Sequence, residues 1–281
     1  MGDLKIAIML PSLRMEPYEG LRKVVELGCT GIHLSVDGGQ FAPEVLDAQA
    51  RRDLVAHLGS LGLEISAISA WGGQVDLTEA GEHEHNLAWA RRILELAVDL
   101  GCGIWQGHIG IIPAGTSDPK WQHAVDAAGV IAQHGEQVGA CLAIETGPEA
   151  PPVLKRLIET VGSDRIRINY DPANLILWPG HYAQQQGLDA AAREELLARY
   201  DPHEGVEVLG PYVVHTHAKD ARSDVDGCAR EVPLGEGWVD WPRYVAALRA
   251  KGFDGYFAIE REVGEDPVGD ITRAVRFLQS L

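Results

Sequence analysis

One phrase recurs along the chain: an amphipathic helical stretch, a glycine, and then a short apolar run. It reads V-V-E-L-G-C-T-G-I-H-L-S-V around Gly28, H-L-G-S-L-G-L-E-I-S-A-I-S-A around Gly62, and L-A-V-D-L-G-C-G-I-W-Q-G-H around Gly101. It returns around Gly139, Gly162, Gly210 and Gly252, ending there in C-L-A-I-E, R-I-N-Y-D, V-V-H-T-H and Y-F-A-I-E. Glycine just past a helix is the expected stop, because it enters the left-handed region without a Cβ penalty. An opening strand over Lys5–Leu10 brings the predicted strands to eight. The intervening helices set charged residues such as Arg91, Arg92 and Glu95 against Ile93, Leu94, Leu96 and Ala97, the spacing of a helix with one buried face.

The strands are short and apolar with little alternation, as in a parallel sheet covered on both faces. Eight near-regular βα units predict an α/β protein with a closed (β/α)8 (TIM) barrel over residues 1–281. An open doubly wound sheet is the alternative, but no G-x-G-x-x-G or phosphate-loop sequence follows the first strand. Two connections exceed ordinary loop length, residues 172–209 and 218–240. Both fall on the C-terminal side of the barrel, where long loops serve as lids or binding walls.

Charge narrows the partners. The formal net charge is -17, which opposes binding to nucleic acid phosphates or anionic membrane surfaces. A charged fraction of 23% and a hydrophobic fraction of 46% fit a folded core and not a disordered chain. No apolar stretch approaches the roughly 20 residues of a membrane span. The N-terminal M-G-D-L-K-I-A-I-M-L-P has no long signal-peptide core, so a cytoplasmic protein is expected. Cys29, Cys102 and Cys141 each follow or nearly follow a glycine and lead into an apolar run. Together with Cys228 they lack C-x-x-C spacing, so buried thiols are expected and a disulfide framework is not.

The chemistry lies where polar residues interrupt the ends of apolar strands. The fifth strand ends at Glu145, the sixth at Asp171, the seventh at His215 and His217, and the eighth at Glu260. In a closed barrel these ends converge on one mouth. Gathered carboxylates repel and lose solvation, and a divalent cation removes that cost. Three oxygens and one imidazole form a fairly hard set, suited to Mn2+ first, then Co2+ or Mg2+, with Zn2+ also compatible. Any one of these residues alone has a plainer reading; Asp171, before Pro172, is placed to cap the next helix. Four consecutive strands behaving alike favours the shared site.

The strings A-I-E-T, N-Y-D-P-A-N, H-T-H-A-K-D and G-F-D-G-Y-F-A-I-E-R-E resemble those of the xylose-isomerase-like sugar isomerase/epimerase superfamily. Its members include ketose 3-epimerases, hydroxypyruvate isomerase, inosose dehydratase and endonuclease IV-type enzymes. The resemblance implies that Glu145, Asp171, His217 and Glu260 bind the metal, with His215 packing deeper on the same strand. It also implies that Glu145 and Glu260 are the acid/base pair, moving a proton next to a carbonyl through a metal-stabilised enediolate. A small sugar or polyol-type ketone is then the partner. Dimers and tetramers are common among such barrels, and the sequence selects no oligomeric state.

Further residues follow with less support. His108, at the end of W-Q-G-H, is a candidate sugar-hydroxyl ligand. Asn174 stands where the epimerases place a substrate-binding histidine, a departure from their pattern. Lys219 and Asp220 are read as substrate contacts or as a pair, and Arg222 as an oxygen contact. Trp71, Trp178 and Trp238 are read as an apolar wall from mouth-side loops. His83 and His85 lack companions and read as solvated; Gly235–Gly237, with Glu236 between, reads as a turn. A lyase using the same site, dehydrating an inosose-type ketone or eliminating from a 3-keto-glycoside, begins with the same proton abstraction. A repair nuclease would need more ligands than S-V-D-G and S-A-W-G supply on the second and third strands. A non-catalytic barrel would require an inert metal site.

Overall fold

The computed structural model describes residues 3–70, 75–223 and 228–281. Seven units follow one another: β1 (Lys5–Met9), α1 (Pro17–Glu26), β2 (Gly31–Ser35), α2 (Ala48–Ser60), β3 (Glu64–Ser69), α3 (His83–Asp99) and β4 (Ile104–Gly107). Then come α4 (Pro119–Val138), β5 (Cys141–Glu145), α5 (Pro151–Val161) and β6 (Ile166–Tyr170). Three helices precede the next strand, α6 (Asn174–Gln185), α7 (Ala190–Ala198) and α8 (Pro202–Leu209). The chain ends with β7 (Val213–Ala218), β8 (Asp220–Ser223), β9 (Ala229–Val232), α9 (Trp241–Ala250), β10 (Tyr256–Ile259) and α10 (Pro267–Gln279).

Eight parallel strands close in the order β1-β10-β7-β6-β5-β4-β3-β2, the (β/α)8 barrel expected. Gly28, Gly62, Gly101, Gly139, Gly162 and Gly252 all take positive φ, between 68° and 89°, as helix stops. Gly210 differs: its φ is -50°, because it opens a short 3-10 turn that carries the chain straight into β7. The helices lay apolar faces on the barrel, burying for example Ile93, Leu94 and Ala97 of α3 and Leu154, Leu157 and Ile158 of α5.

The two long connections are not open loops. Residues 172–209 fold into α6, α7 and α8, with Asp189 and Asp201 accepting N-terminal backbone N–H groups of α7 and α8. The run A-A-A-R-E-E-L-L-A is rich in good helix formers, and those two aspartates are the caps. Residues 218–240 contain the antiparallel hairpin β8–β9, with Asp220 opposite Val232. Cys29 and Cys141 are buried, Cys102 is half-buried and Cys228 exposed, all as free thiols. Among the described residues no helix is long and apolar enough to cross a membrane.

Candidate metal and active site

Parallel pairing brings the ends of β5, β6, β7 and β10 to one level: Glu145 is opposite Asn169, two residues before Asp171, and His217 is opposite Ala258, two before Glu260. Ligand atoms of Glu145, Asp171, His217 and Glu260 all lie within 4.8 Å of one another, and all four residues are buried. His217 Nδ1 is the centre of the group, 3.0 Å from Glu260 Oε2, 3.2 Å from Glu145 Oε1 and 3.7 Å from Asp171 Oδ2.

Local bonding aims each side chain. Asp171 Oδ1 accepts from the N–H groups of Ala173 (2.8 Å) and Asn174 (3.2 Å), so the plainer capping role is realised. Its other oxygen, Oδ2, is buried without a hydrogen bond, as is His217 Nδ1. Thr146 holds the Asp171 backbone, accepting from Asp171 N at 2.8 Å and donating to Asp171 O at 2.9 Å. Glu145 Oε1 accepts from Asn174 Nδ2 at 3.0 Å, and Glu145 Oε2 accepts from Gln106 Nε2. Asn174 thus braces a carboxylate of the cluster from within hydrogen-bonding reach.

Lys219 reaches the carboxylates directly. Its Nζ lies 3.1 Å from Glu260 Oε2, 3.6 Å from Asp171 Oδ2 and 2.5 Å from Glu262 Oε2. It does not pair with Asp220. That carboxylate accepts instead from the backbone of Gly235 (3.0 Å), Gly237 (3.1 Å) and Val239 (3.3 Å) and from Trp241 Nε1 (3.1 Å). Asp220 is a structural anchor, and the Gly235–Gly237 turn closes around it.

Within the cluster, burial and the neighbouring charges pull against each other. Burial pushes all the carboxyls up, but Lys219 and His217 hold Glu260 well below the usual range, and His108 and His217 hold Glu145 below it. For Asp171 burial outweighs Lys219 and its carboxyl is raised. Burial opposes charge on His217 too, yet Glu260 and Glu145 raise it well above an ordinary histidine. Orphaned Asp171 Oδ2 and His217 Nδ1 beside two further carboxylates fit a hard divalent cation, which with Lys219 would balance the three negative charges.

Around the cluster, His108 Nε2 stands 3.8 Å from Glu145 Oε2, and its ring meets that of Trp178 edge-on at 6.3 Å. Gly147 makes this possible: a Cβ there would come within 2.6 Å of Trp178 Nε1 and 3.2 Å of His108 Cε1. Trp178 lies on α6 and not in a loop. Trp238 is 51% exposed and lines a groove of about 630 Å³ with Leu197, Tyr200 and His203; none of the four clustered residues faces that groove. Arg222 sits half-buried on β8, opposite Arg230. Trp71 lies outside the described residues. His85 is exposed as expected, but His83 is half-buried, with Nε2 2.9 Å from Leu77 O.

Sequence reasoning missed a second layer. His33, His215 and His217 are buried with ligand atoms within 4.8 Å of one another, and His33 meets His215 edge-on at 4.9 Å. Burial, then the charge of His217, lowers His33 to about 3; burial, then its histidine neighbours, holds His215 well below its ordinary value. The deeper packing role expected of His215 agrees with this placement. The polar interruptions H in G-I-H-L-S, S in E-I-S-A and Q in W-Q-G were the available signals.

A family model described as xylose isomerase-like TIM barrel matches residues 21–281. A xylose isomerase domain protein from Planctomyces limnophilus has a similar structure, with a TM-score of 0.79 and 22% identity over 99% of this chain and 96% of that one. A xylose isomerase-like TIM barrel protein from Mycobacterium smegmatis, solved in complex with magnesium, gives 0.70 and 20% over 100% and 98%. At these identities the likeness is one of fold. The L-ribulose-5-phosphate 3-epimerase UlaE of Escherichia coli is 37% identical over 65 residues, a stretch amounting to 22% of this chain and 22% of that relative.

Proposed function

Since the chain belongs to the xylose isomerase-like TIM barrel family, we propose that it is a divalent-metal-dependent isomerase or epimerase of a sugar or polyol-type ketone. The observation that carries this reading is the buried convergence of Glu145, Asp171, His217 and Glu260, with Asp171 Oδ2 and His217 Nδ1 lacking hydrogen bonds. These four residues would hold the cation, Mn2+ in the first place. When bound, it supplies a Lewis acid that polarises the substrate carbonyl. The E. coli relative, a ketose-phosphate 3-epimerase by name, supports chemistry at a carbon next to a carbonyl.

The chain's own groups do the rest. Glu145 and Glu260 are the base and acid: the ionised one removes the proton beside the carbonyl, and the other, entering the step protonated, returns a proton to that carbon. Lys219, braced by Glu260 and Glu262, lies within reach of an oxygen that gains charge as the proton leaves. His108 stands beside Glu145 as a hydroxyl partner for the substrate, and Trp178, edge-on to His108, offers an apolar face.

The metal content of protein purified without added metal, compared with Glu260→Gln, tests the reading. About one equivalent of Mn2+, Co2+, Mg2+ or Zn2+ in the wild type, reduced in the variant, is expected. Ketoses incubated with the loaded protein in deuterated water should then take up deuterium beside the carbonyl. Release of water or of a second molecule would instead mark a lyase. No metal in either protein after soaking in excess Mn2+ would remove the reading.

A further inference from the structure

Beneath the carboxylates, a continuous chain of polar contacts runs from the backbone of β2 to the ring of His217. Ser66 Oγ lies 3.0 Å from Ile32 O and 3.0 Å from His215 Nε2. His215 Nδ1 lies 2.8 Å from Asn169 Oδ1, and Asn169 Nδ2 lies 3.3 Å from His217 Nε2. His33 Nδ1 is also 3.3 Å from His217 Nε2. The remaining ring nitrogen, His217 Nδ1, faces Glu260, Glu145 and Asp171. Ser66, Asn169, His215 and His217 are all buried, so no solvent can reset the protons.

The chain has two directions, and its far end chooses between them. Ile32 O can only accept. The β2–β3 register shifts between Ile32 and His33, which leaves Ser66 as the extra residue of a bulge opposite that carbonyl. A serine has one proton, so donating it to Ile32 leaves Oγ an acceptor for His215 Nε2–H. His215 has only uncharged partners at its two ring nitrogens; as a neutral ring it then presents a bare Nδ1. The amide of Asn169 is alike in shape at its two ends, and its partners assign them. Turned end for end, it donates NH2 to His215 and offers its oxygen to His217 Nε2–H. With its Nε2–H accepted in this way, the neutral ring of His217 is the one whose Nδ1, and not Nε2, has given up its proton to make room for a cation among the carboxylates. In the opposite direction Ser66 donates to His215, Ile32 O loses the hydroxyl, and Asn169 donates to His217 Nε2. The proton of neutral His217 then sits on Nδ1, where a cation has to bind.

We infer that Ser66 is a positioning residue: through His215 and Asn169 it fixes the tautomer of His217 that leaves Nδ1 bare for a divalent cation. The inference rests on the metal-site reading above and goes beyond it in naming what sets the ligand's proton.

Mn2+ titrations of wild type, Ser66→Ala, Asn169→Asp and the double variant provide the test, alongside ring 15N spectra of the histidines in metal-free protein. Ser66→Ala should weaken Mn2+ binding about 10-fold, the lower end for groups behind a metal ligand, and should move the His215 proton from Nε2 to Nδ1. In Asn169→Asp the carboxylate accepts from His217 Nε2–H unaided, so adding Ser66→Ala should change affinity no further. Equal Mn2+ affinity in Ser66→Ala would overturn the inference, as would an equal loss in the Asn169→Asp background, which is the mark of packing alone. A wild-type His215 protonated on Nδ1 would overturn it even if a variant failed to fold. Failure of the wild type to bind Mn2+ would instead defeat the metal reading, and the His215 spectrum would still decide the proton order.

Discussion

Two layers of buried polar groups share the barrel interior and behave in opposite ways. In the upper layer His217 is drawn well above an ordinary histidine by Glu260 and Glu145. In the lower one His33, whose ring centre lies 5.2 Å from that of His217, falls to about 3. Burial is complete in both, since His33 and His217 each have 0% relative exposure. What differs is the company: carboxylates at 3.0 and 3.2 Å from His217, and for His33 another imidazole. Desolvation sets the cost of charge, and neighbouring charges decide whether it is borne. The upper layer is built to hold charge and the lower one to stay neutral and direct protons.

The largest break in this contrast comes from removing a carboxylate. Glu145→Gln or Glu260→Gln should lower turnover of the deuterium-exchanging ketose by 10²- to 10⁴-fold, the range typical of a lost acid/base group. His33→Gln, which leaves every carboxylate of the upper layer in place, should cost far less in the same assay. Comparable losses from all three would mean that the two layers act as one catalytic unit.

How much of this was legible in the sequence follows from the same physics. Glycine stops at six helix ends and apolar runs after them made the barrel readable, because positive φ and double-sided burial leave strong marks. Glu145, Asp171, His217 and Glu260 were readable because they are ligand-type residues at or next to the ends of four consecutive barrel strands. His33, Ser66, Gln106 and Asn169 were not, since a strand covered on both faces carries no alternation to show which side chains enter the lumen. Asp220 was misread for a related reason. Its partners, Gly235, Gly237 and Trp241, are brought back to it only by the β8–β9 hairpin, a pairing across too many residues for local spacing to show. Helices α6 and α7 of residues 172–209 were hidden because no strand follows either of them, so they lie outside the helix–glycine–strand phrase used to segment the rest.

Glu149 sharpens the comparison from outside both layers. It is a buried carboxyl like Asp171, but its hydrogen-bond donor is the backbone N–H of Ile112 at 2.7 Å, and burial pushes it up to about 8. A folded pKa above the unfolded value near 4.5 means that the folded state holds the extra proton. Stability therefore falls as pH rises from 4.5 to 8 and is level beyond. Glu149→Gln keeps an acceptor for Ile112 and abolishes that slope. At pH 7.5 it should be more stable than wild type by on the order of 2–4 kcal/mol, read from urea midpoints, with little difference at pH 4.5. A variant no more stable at pH 7.5 would show that Glu149 ionises freely and that burial alone does not set its charge.

The smallest effect concerns the lower layer's neutrality. His33 in the folded state titrates at about 3, below the ordinary histidine value, so between the two the unfolded chain binds the proton that the folded one refuses. Stability must then fall with acidification from about pH 6.5, by up to about 1.4 kcal/mol per pH unit for one histidine. His33→Leu removes this contribution. Its change in unfolding free energy between pH 6.5 and pH 5.5, in metal-free protein, should be smaller than that of wild type by about 1 kcal/mol, the unfolded histidine being already half protonated at pH 6.5. His215 remains in the variant as a second neutral imidazole, so a residual acid slope is expected. Identical slopes in the two proteins would mean that His33 accepts a proton in place, shared with the carboxylates above it. The contrast between the layers would then be one of proton sharing, with a single charged network running from His33 to Glu260.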